Sequence, residues 1–147
     1  MTDHHAAADH RAAIEDADRV EFRMPSDPRF IRVARLAASG IGAGAGLDID
    51  RIEDLKIAVG EVCATLIEMG DGSPVTLGLG VTPSGDVRVE GHVPIGAGGR
   101  PDRARFALTA QILHVIAGGH VFEQEAEVAT ITFDVSPTPH TRDSTDN

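Results

Sequence analysis

The sequence predicts an α+β protein: a two-layer sandwich in which a mostly antiparallel, mixed sheet is covered on one face by three helices. Three segments, at 20–24, 75–81 and 129–135, alternate in the period of two that marks half-buried strands, and two further strands are suggested around Val87 and Val89 and at Val121 and Glu123. Three longer segments repeat apolar residues at steps of three and four. Their order is strand, two helices, two strands, helix, two strands, which lacks the regular strand-helix alternation of a parallel α/β sheet.

Val20, Phe22 and Met24 alternate with Glu21 and Arg23 in the first strand, and Pro25 stops it. Ser26-Asp27-Pro28 offers a helix cap with proline in the first turn. Phe30, Val33, Leu36 and Ala37 then follow at helical spacing as the expected inner stripe, until the glycines at 40, 42, 44 and 46 end the run. Asp48 or Asp50 caps the longest periodic stretch, where Ile52, Leu55, Val59, Val62, Cys63 and Leu66 form an apolar stripe. Asp71-Gly72 marks a turn before the strand of Val75, Leu77, Leu79 and Val81. Pro83-Ser84-Gly85-Asp86 connects it to a strand around Val87 and Val89. A glycine-rich loop from Gly96 to Pro101 precedes the third helix, with Phe106, Leu108, Ile112, Val115 and Ile116, which Gly118-Gly119 ends. Val121 and Glu123 suggest a short strand, and Ala129, Ile131, Phe133 and Val135 alternate in the last.

Residues 1–17 and 136–147 have no sustained period and read as tails around one domain at 18–135. The chain has 147 residues and 41% apolar content, enough for a single core. Asp and Glu outnumber Lys and Arg by 23 to 13, giving a net charge of −10, and Lys56 is the sole lysine. That balance disfavours direct nucleic-acid binding and suits a basic protein partner. Cys63 is the one cysteine, so no intrachain disulfide forms, which suits a reducing cytoplasm. No stretch approaches the roughly 18 to 20 apolar residues of a membrane span. His4, His5 and His10 lack a completing set of metal ligands, and His92, His114 and His120 fall on separate elements.

Two glycine-rich loops invite a phosphate reading. Gly40 to Gly46 joins two predicted helices without a preceding strand, so it fails the dinucleotide context and reads as a flexible connection. The amides of Gly96, Gly98 and Gly99, with Arg100, follow a strand and precede a helix, where they could cradle an anion. No Gly-Lys-Ser/Thr follows, and an ordinary loop is the alternative. In the long helix, Glu61 and Thr65 share a face with Ala58 and Glu68, opposite the stripe of Val59, Cys63 and Leu66. A carboxylate there could act as a general base toward a hydroxyl, or belong to a solvated acidic face.

The segment Arg51-Ile-Glu-Asp-Leu-Lys-Ile-Ala-Val-Gly-Glu-Val-Cys-Ala-Thr65 resembles the helix that carries a Glu-x-x-x-Asn box in the anti-sigma-factor serine kinases of the GHKL (Bergerat-fold) ATPases. Phe30-Ile-Arg-Val-Ala-Arg-Leu and the ending from Ile112 to Val135 extend the likeness over about residues 18–135. The resemblance implies the histidine-kinase-like ATPase sandwich, with Glu61 as the base that activates an attacking hydroxyl. The nucleotide site would fall at residue 65 and the loop from Gly96 to Arg100. Three departures qualify it: Thr65 stands where the family has the Mg²⁺-holding Asn, no Asp lies between Asp86 and Asp102 to read adenine, and Arg105-Phe-Ala-Leu-Thr109 lacks the glycines that admit phosphates.

The resemblance therefore implies an anti-sigma factor, with a sigma factor and an anti-anti-sigma factor as partners, and leaves a homodimer open. No cofactor is expected unless nucleotide binding is retained, in which case it is ATP with Mg²⁺; the chain would then be a serine kinase phosphorylating the anti-anti-sigma factor. Arg32 holds the position of the family's partner-contacting arginine, and Arg35 accompanies it off the apolar stripe. The alternative for Arg32 is a solvated side chain paired with an acid such as Asp27.

Overall fold

The structure, a computed structural model, describes residues 19–96 and 103–138. Strand β1 (Val20–Met24) leads through a 3-10 turn (Pro28–Phe30) into helix α1 (Ile31–Gly44), followed by α2 (Ile49–Met69). The hairpin of β2 (Val75–Val81) and β3 (Val87–Pro94) comes next, then α3 (Arg103–Ala117) and a second hairpin, β4 (Val121–Glu125) and β5 (Val128–Val135). The α+β sandwich expected from the alternating and helical periods is present. The sheet order is β1-β2-β3-β5-β4. Every pairing is antiparallel, so no parallel step of a mixed sheet occurs among the described residues. The reason lies in the last hairpin: α3 delivers the chain to the outer edge as β4, and β5 returns inward to run against β3.

Register places one apolar set under the helices. Leu77 stands opposite Gly91 and Gly91 opposite Ile131, while Leu79, Val89 and Phe133 form the next row. These side chains are buried, whereas the other face carries Glu21, Arg88, Glu90, His92 and Asp134. On that face Arg88 grips Asp134 directly across the strands through Nε and Nη2 at 2.6 and 2.8 Å.

Helix α2 follows its sequence signals closely. The Asp48 side chain accepts from the Arg51 amide at 2.8 Å, and Leu55, Val59, Val62, Cys63 and Leu66 are fully buried. Burial pushes the Cys63 thiol up to about 12, with the nearby Arg35 charge pulling the other way. Arg51 is 3% exposed and clamps three elements: Nε donates to the Ser136 carbonyl at 2.9 Å, Nη2 to the Ile116 carbonyl at 3.1 Å, and Nη1 to Asp54 at 3.0 Å. The start of α2 is thereby tied to the end of α3 and the end of β5.

Helix α1 corrects the sequence reading twice. The glycines expected to end it lie within it, since it runs to Gly44. Its inner face is Ala34, Ala38 and Gly42, while the expected inner stripe points outward, with Val33 48% and Leu36 70% exposed. Close packing explains both findings. A Cβ on Gly42 would stand 3.1 Å from Leu55 Cδ2 and 3.4 Å from Ile52 Cγ1, so α1 approaches α2 through its smallest residues. Helix α3 shows a milder version: Leu113 and Ile116 are buried, but Leu108 and Val115 are exposed.

Candidate functional site

Helix spacing puts Glu61, Thr65 and Glu68 on one side of α2, at steps of four and three. Helix α3 meets that side with Arg105 and Thr109, four apart. The hydroxyls of Thr65 and Thr109 share a hydrogen bond of 2.7 Å, and both residues are 1% exposed. One turn along, Arg105 Nε lies 3.1 Å from Glu68 Oε2. Ala58, on the same face, is also fully buried, whereas Glu61 is half-buried. The face expected to oppose the buried stripe is thus covered at Ala58 and Thr65, with α3 packing on Thr65, while Glu68 stays exposed. Sequence reasoning missed Thr109, Arg105 and this seam; the matched polar pairs at helical steps on α2 and α3 were the available signal.

Of the residues read as nucleotide-binding, Gly98, Gly99 and Arg100 lie outside the described residues. Gly96 sits at the end of β3 beside the end of α2, where the Asp71 amide donates to the Pro94 carbonyl at 2.9 Å. The Mg²⁺ that the resemblance implies would need an oxygen at residue 65 turned toward a phosphate. Thr65 turns its oxygen to Thr109 instead and does not fit that task. Among the described residues no group of three or more His, Cys, Asp or Glu side chains could hold a metal ion. No helix among them is long and apolar enough to cross a membrane.

The residues read as partner-binding occupy the other side of α2. Arg32 and Arg35 are exposed on α1, one turn apart. Asp27 does not pair with Arg32: it accepts from the Arg29 amide at 2.9 Å and from the Arg29 guanidinium at 3.0 and 2.7 Å. Those bonds hold its carboxyl below the usual range. Neither Arg32 nor Arg35 meets a carboxylate among the described residues. The Arg35 guanidinium lies against α2 edge-on, where a Cβ at Gly60 would be 2.5 Å from Nη2, 2.6 Å from Nε and 3.0 Å from Cζ. Gly60 therefore makes the seat for Arg35, directly before Glu61.

No protein-family model matches the chain. A serine-protein kinase named RsbW from Bacillus subtilis (strain 168) is 40% identical over 53 residues, 36% of this chain and 33% of that protein. RsbW of Halalkalibacterium halodurans is 35% identical over 66 residues, 45% of this chain and 41% of its own. Each match thus covers less than half the length of the curated relative. Among solved structures, the RsbU and RsbW domains of a Mycobacterium tuberculosis protein superpose with a TM-score of 0.65 at 17% identity, over 82% of this chain and 32% of that one. A chain of the SiaB–SiaC complex from Pseudomonas aeruginosa gives 0.56 at 9% identity, over 90% of this chain and 95% of that one. The family resemblance carried by the Arg51–Thr65 helix is borne out: the chain is similar in sequence to the RsbW serine-protein kinases and shares its α+β sandwich with these two solved structures.

Proposed function

We propose that this chain is an anti-sigma factor that holds a sigma factor away from RNA polymerase, is regulated by an anti-anti-sigma partner, works in the cytoplasm, and binds ATP weakly or not at all. The observation that carries the reading is the Thr65–Thr109 bond, which closes the α2 face where a nucleotide and its metal would sit. Phosphoryl transfer depends on positioning and on charge neutralisation by a metal, and the hydroxyl of residue 65 is buried against that of Thr109. The partner-binding role draws support from the exposed Arg32, Arg35 and Leu36, and from the solution of one structural neighbour as a complex, SiaB with SiaC.

A second reading, an active serine kinase with Glu61 as general base, is favoured by the serine-kinase names of the relatives and by the half-buried position of Glu61. Incubation of the full chain with Mg²⁺-ATP and the host's anti-anti-sigma candidates separates the two. The first reading expects no phosphoserine and no thermal shift with nucleotide. A ligand at 100 times its dissociation constant would stabilise the fold by about 2.7 kcal/mol. Transfer that disappears in Glu61→Ala would establish the kinase.

A further inference from the structure

We propose that the outer edge of β4 docks an extended segment of a partner protein in which basic and apolar residues alternate, added to the sheet as a further strand; this surface lies across the sheet from α1 and does not rest on the anti-sigma reading. The sheet order leaves β1 and β4 as its two edges, and among the described residues no strand pairs with the outer side of β4. Its pairing with β5 is regular, from Val121 opposite Thr132 to Glu125 opposite Val128, without a bulge. Ala126 and Glu127 join the two strands with φ values of 48° and 62°, the left-handed pair that closes a two-residue hairpin turn. Such a turn makes Glu125 and Val128 a hydrogen-bonded pair, and antiparallel alternation makes Glu123 and Val121 the next ones on β4. The N–H and C=O groups of Phe122 and Gln124 therefore point away from β5, toward the open edge. The Glu127 carbonyl accepts from the Ile95 amide at 2.8 Å, which ties the turn to the end of β3 and fixes the edge before any partner arrives.

The side chains of β4 decide what the added strand must carry. Glu123 and Glu125 lie on the sheet face away from the helices, and β4 with its turn contains Glu123, Glu125 and Glu127 but no Lys or Arg. Natural sheets guard an edge with lysine, proline or a bulge, and β4 has none of them. A second copy pairing through its own β4 would set carboxylate against carboxylate, so the edge repels itself and admits a basic strand. The terminal segments of the chain do not supply one: Arg11 is the one Lys or Arg in residues 1–18 and Arg142 the one in residues 139–147, each among more numerous acids. On the helix side, Phe122 is half-buried against Phe106 of α3, ring centroids 5.0 Å apart, and Ala110 one turn further along α3 is small. Apolar residues of the added strand would cover the open part of Phe122, and the basic residues between them would face Glu123 and Glu125.

The test uses the full chain and three fluorescent peptides of about nine residues: alternating Lys and Val, alternating Glu and Val, and the Lys-Val peptide N-methylated throughout, which keeps its charge and loses its backbone donors. Anisotropy should give the Lys-Val peptide at least about a tenfold tighter dissociation constant than the other two. Its binding should slow amide exchange at Phe122 and Gln124 and leave α1 unchanged. Gln124→Pro removes a donor on the open edge while the ladder to β5 stays whole, so it should weaken the Lys-Val peptide about tenfold with melting unchanged. Glu125→Lys should erase the preference for Lys-Val over Glu-Val, and it keeps the proposal testable if the proline variant does not fold. Equal binding of the Lys-Val peptide and its N-methylated form overturns the proposal, since charge alone then attracts it. Protection on α1 instead of β4, or a Lys preference that survives Glu125→Lys, overturns it too. So does self-association of the chain that Gln124→Pro dissolves, because the occupant is then a second copy. Capture of the Lys-Val peptide at β4 by a chain that holds no sigma factor would keep this surface and remove the anti-sigma reading; a sigma factor held without any such capture would do the reverse.

Discussion

Replacing Thr65 by Val removes one hydroxyl from the α2–α3 seam at nearly constant shape and nearly constant helix propensity. The Thr109 hydroxyl is then left buried at 1% exposure with its partner gone. An orphaned buried hydroxyl costs about 1 to 3 kcal/mol. Thr109 lies inside α3 and can turn to a carbonyl of its own preceding turn, so Thr65→Val falls toward the lower end of that range. Thr109→Val has the mirror effect on Thr65. The double variant removes both groups, leaves no orphan, and should lie within about 1 kcal/mol of the parent. The coupling between the two sites is then at least about 1 kcal/mol, read from urea unfolding with unchanged m-values. Thr65→Asn, which restores the family's residue, should destabilise by about 1 to 3 kcal/mol, because the longer amide overfills a closed site. Single variants within about 0.5 kcal/mol of the parent and strictly additive would mean that water reaches both hydroxyls and that the seam is open.

Arg51→Ala should lose about 3 to 5 kcal/mol in the same unfolding assay, since Asp54 and the carbonyls of Ile116 and Ser136 lose a buried cation at once; Arg51→Lys should recover only part, as one ammonium cannot span all three, and full recovery would contradict the clamp. Leu66→Ala should cost about 2 to 5 kcal/mol at its fully buried site, and Leu36→Ala less than about 0.5, a contrast whose reversal would show the helix faces inverted. Cys63 stays protonated in the folded state up to about 12 but ionises near 9.0 once unfolded, so the unfolded chain binds fewer protons between those values and stability falls as pH rises through that window. The parent should therefore lose about 1.4 kcal/mol more per pH unit above 9 than Cys63→Ala does, and parallel pH profiles would place the thiol in water.

What the sequence made legible is what chain-local physics decides. Asp48 or Asp50 before a run of Leu55, Val59, Val62 and Leu66 marks where α2 begins, with Asp48 the cap in the structure, and shows which stripe it buries. The strands were equally readable, because one period-two set had to face the helices. Helix α1 misled because periodicity selects the most apolar stripe, Phe30, Val33 and Leu36, whereas packing selected the smallest, Ala34, Ala38 and Gly42. A surface that keeps large apolar groups outside is invisible to a rule assuming they go inside. The Thr65 face misled for another reason: its cover, α3, comes 44 residues later, and no local pattern tells which helix crosses which. The burial of Arg51, in the first turn of α2, follows from carbonyls at Ile116 and Ser136 that only the tertiary fold brings near.

The central claim is that this chain acts by holding a partner through α1 and needs no nucleotide to do so. The most direct measurement is transcription by host core RNA polymerase with each host sigma factor, titrated with the full chain, with and without Mg²⁺-ATP. The account predicts that one sigma factor is silenced at near-stoichiometric chain, that ATP leaves the titration unmoved, and that Arg32→Ala combined with Arg35→Gln relieves it. Silencing that appears only with ATP, or no silencing of any sigma factor, would contradict it.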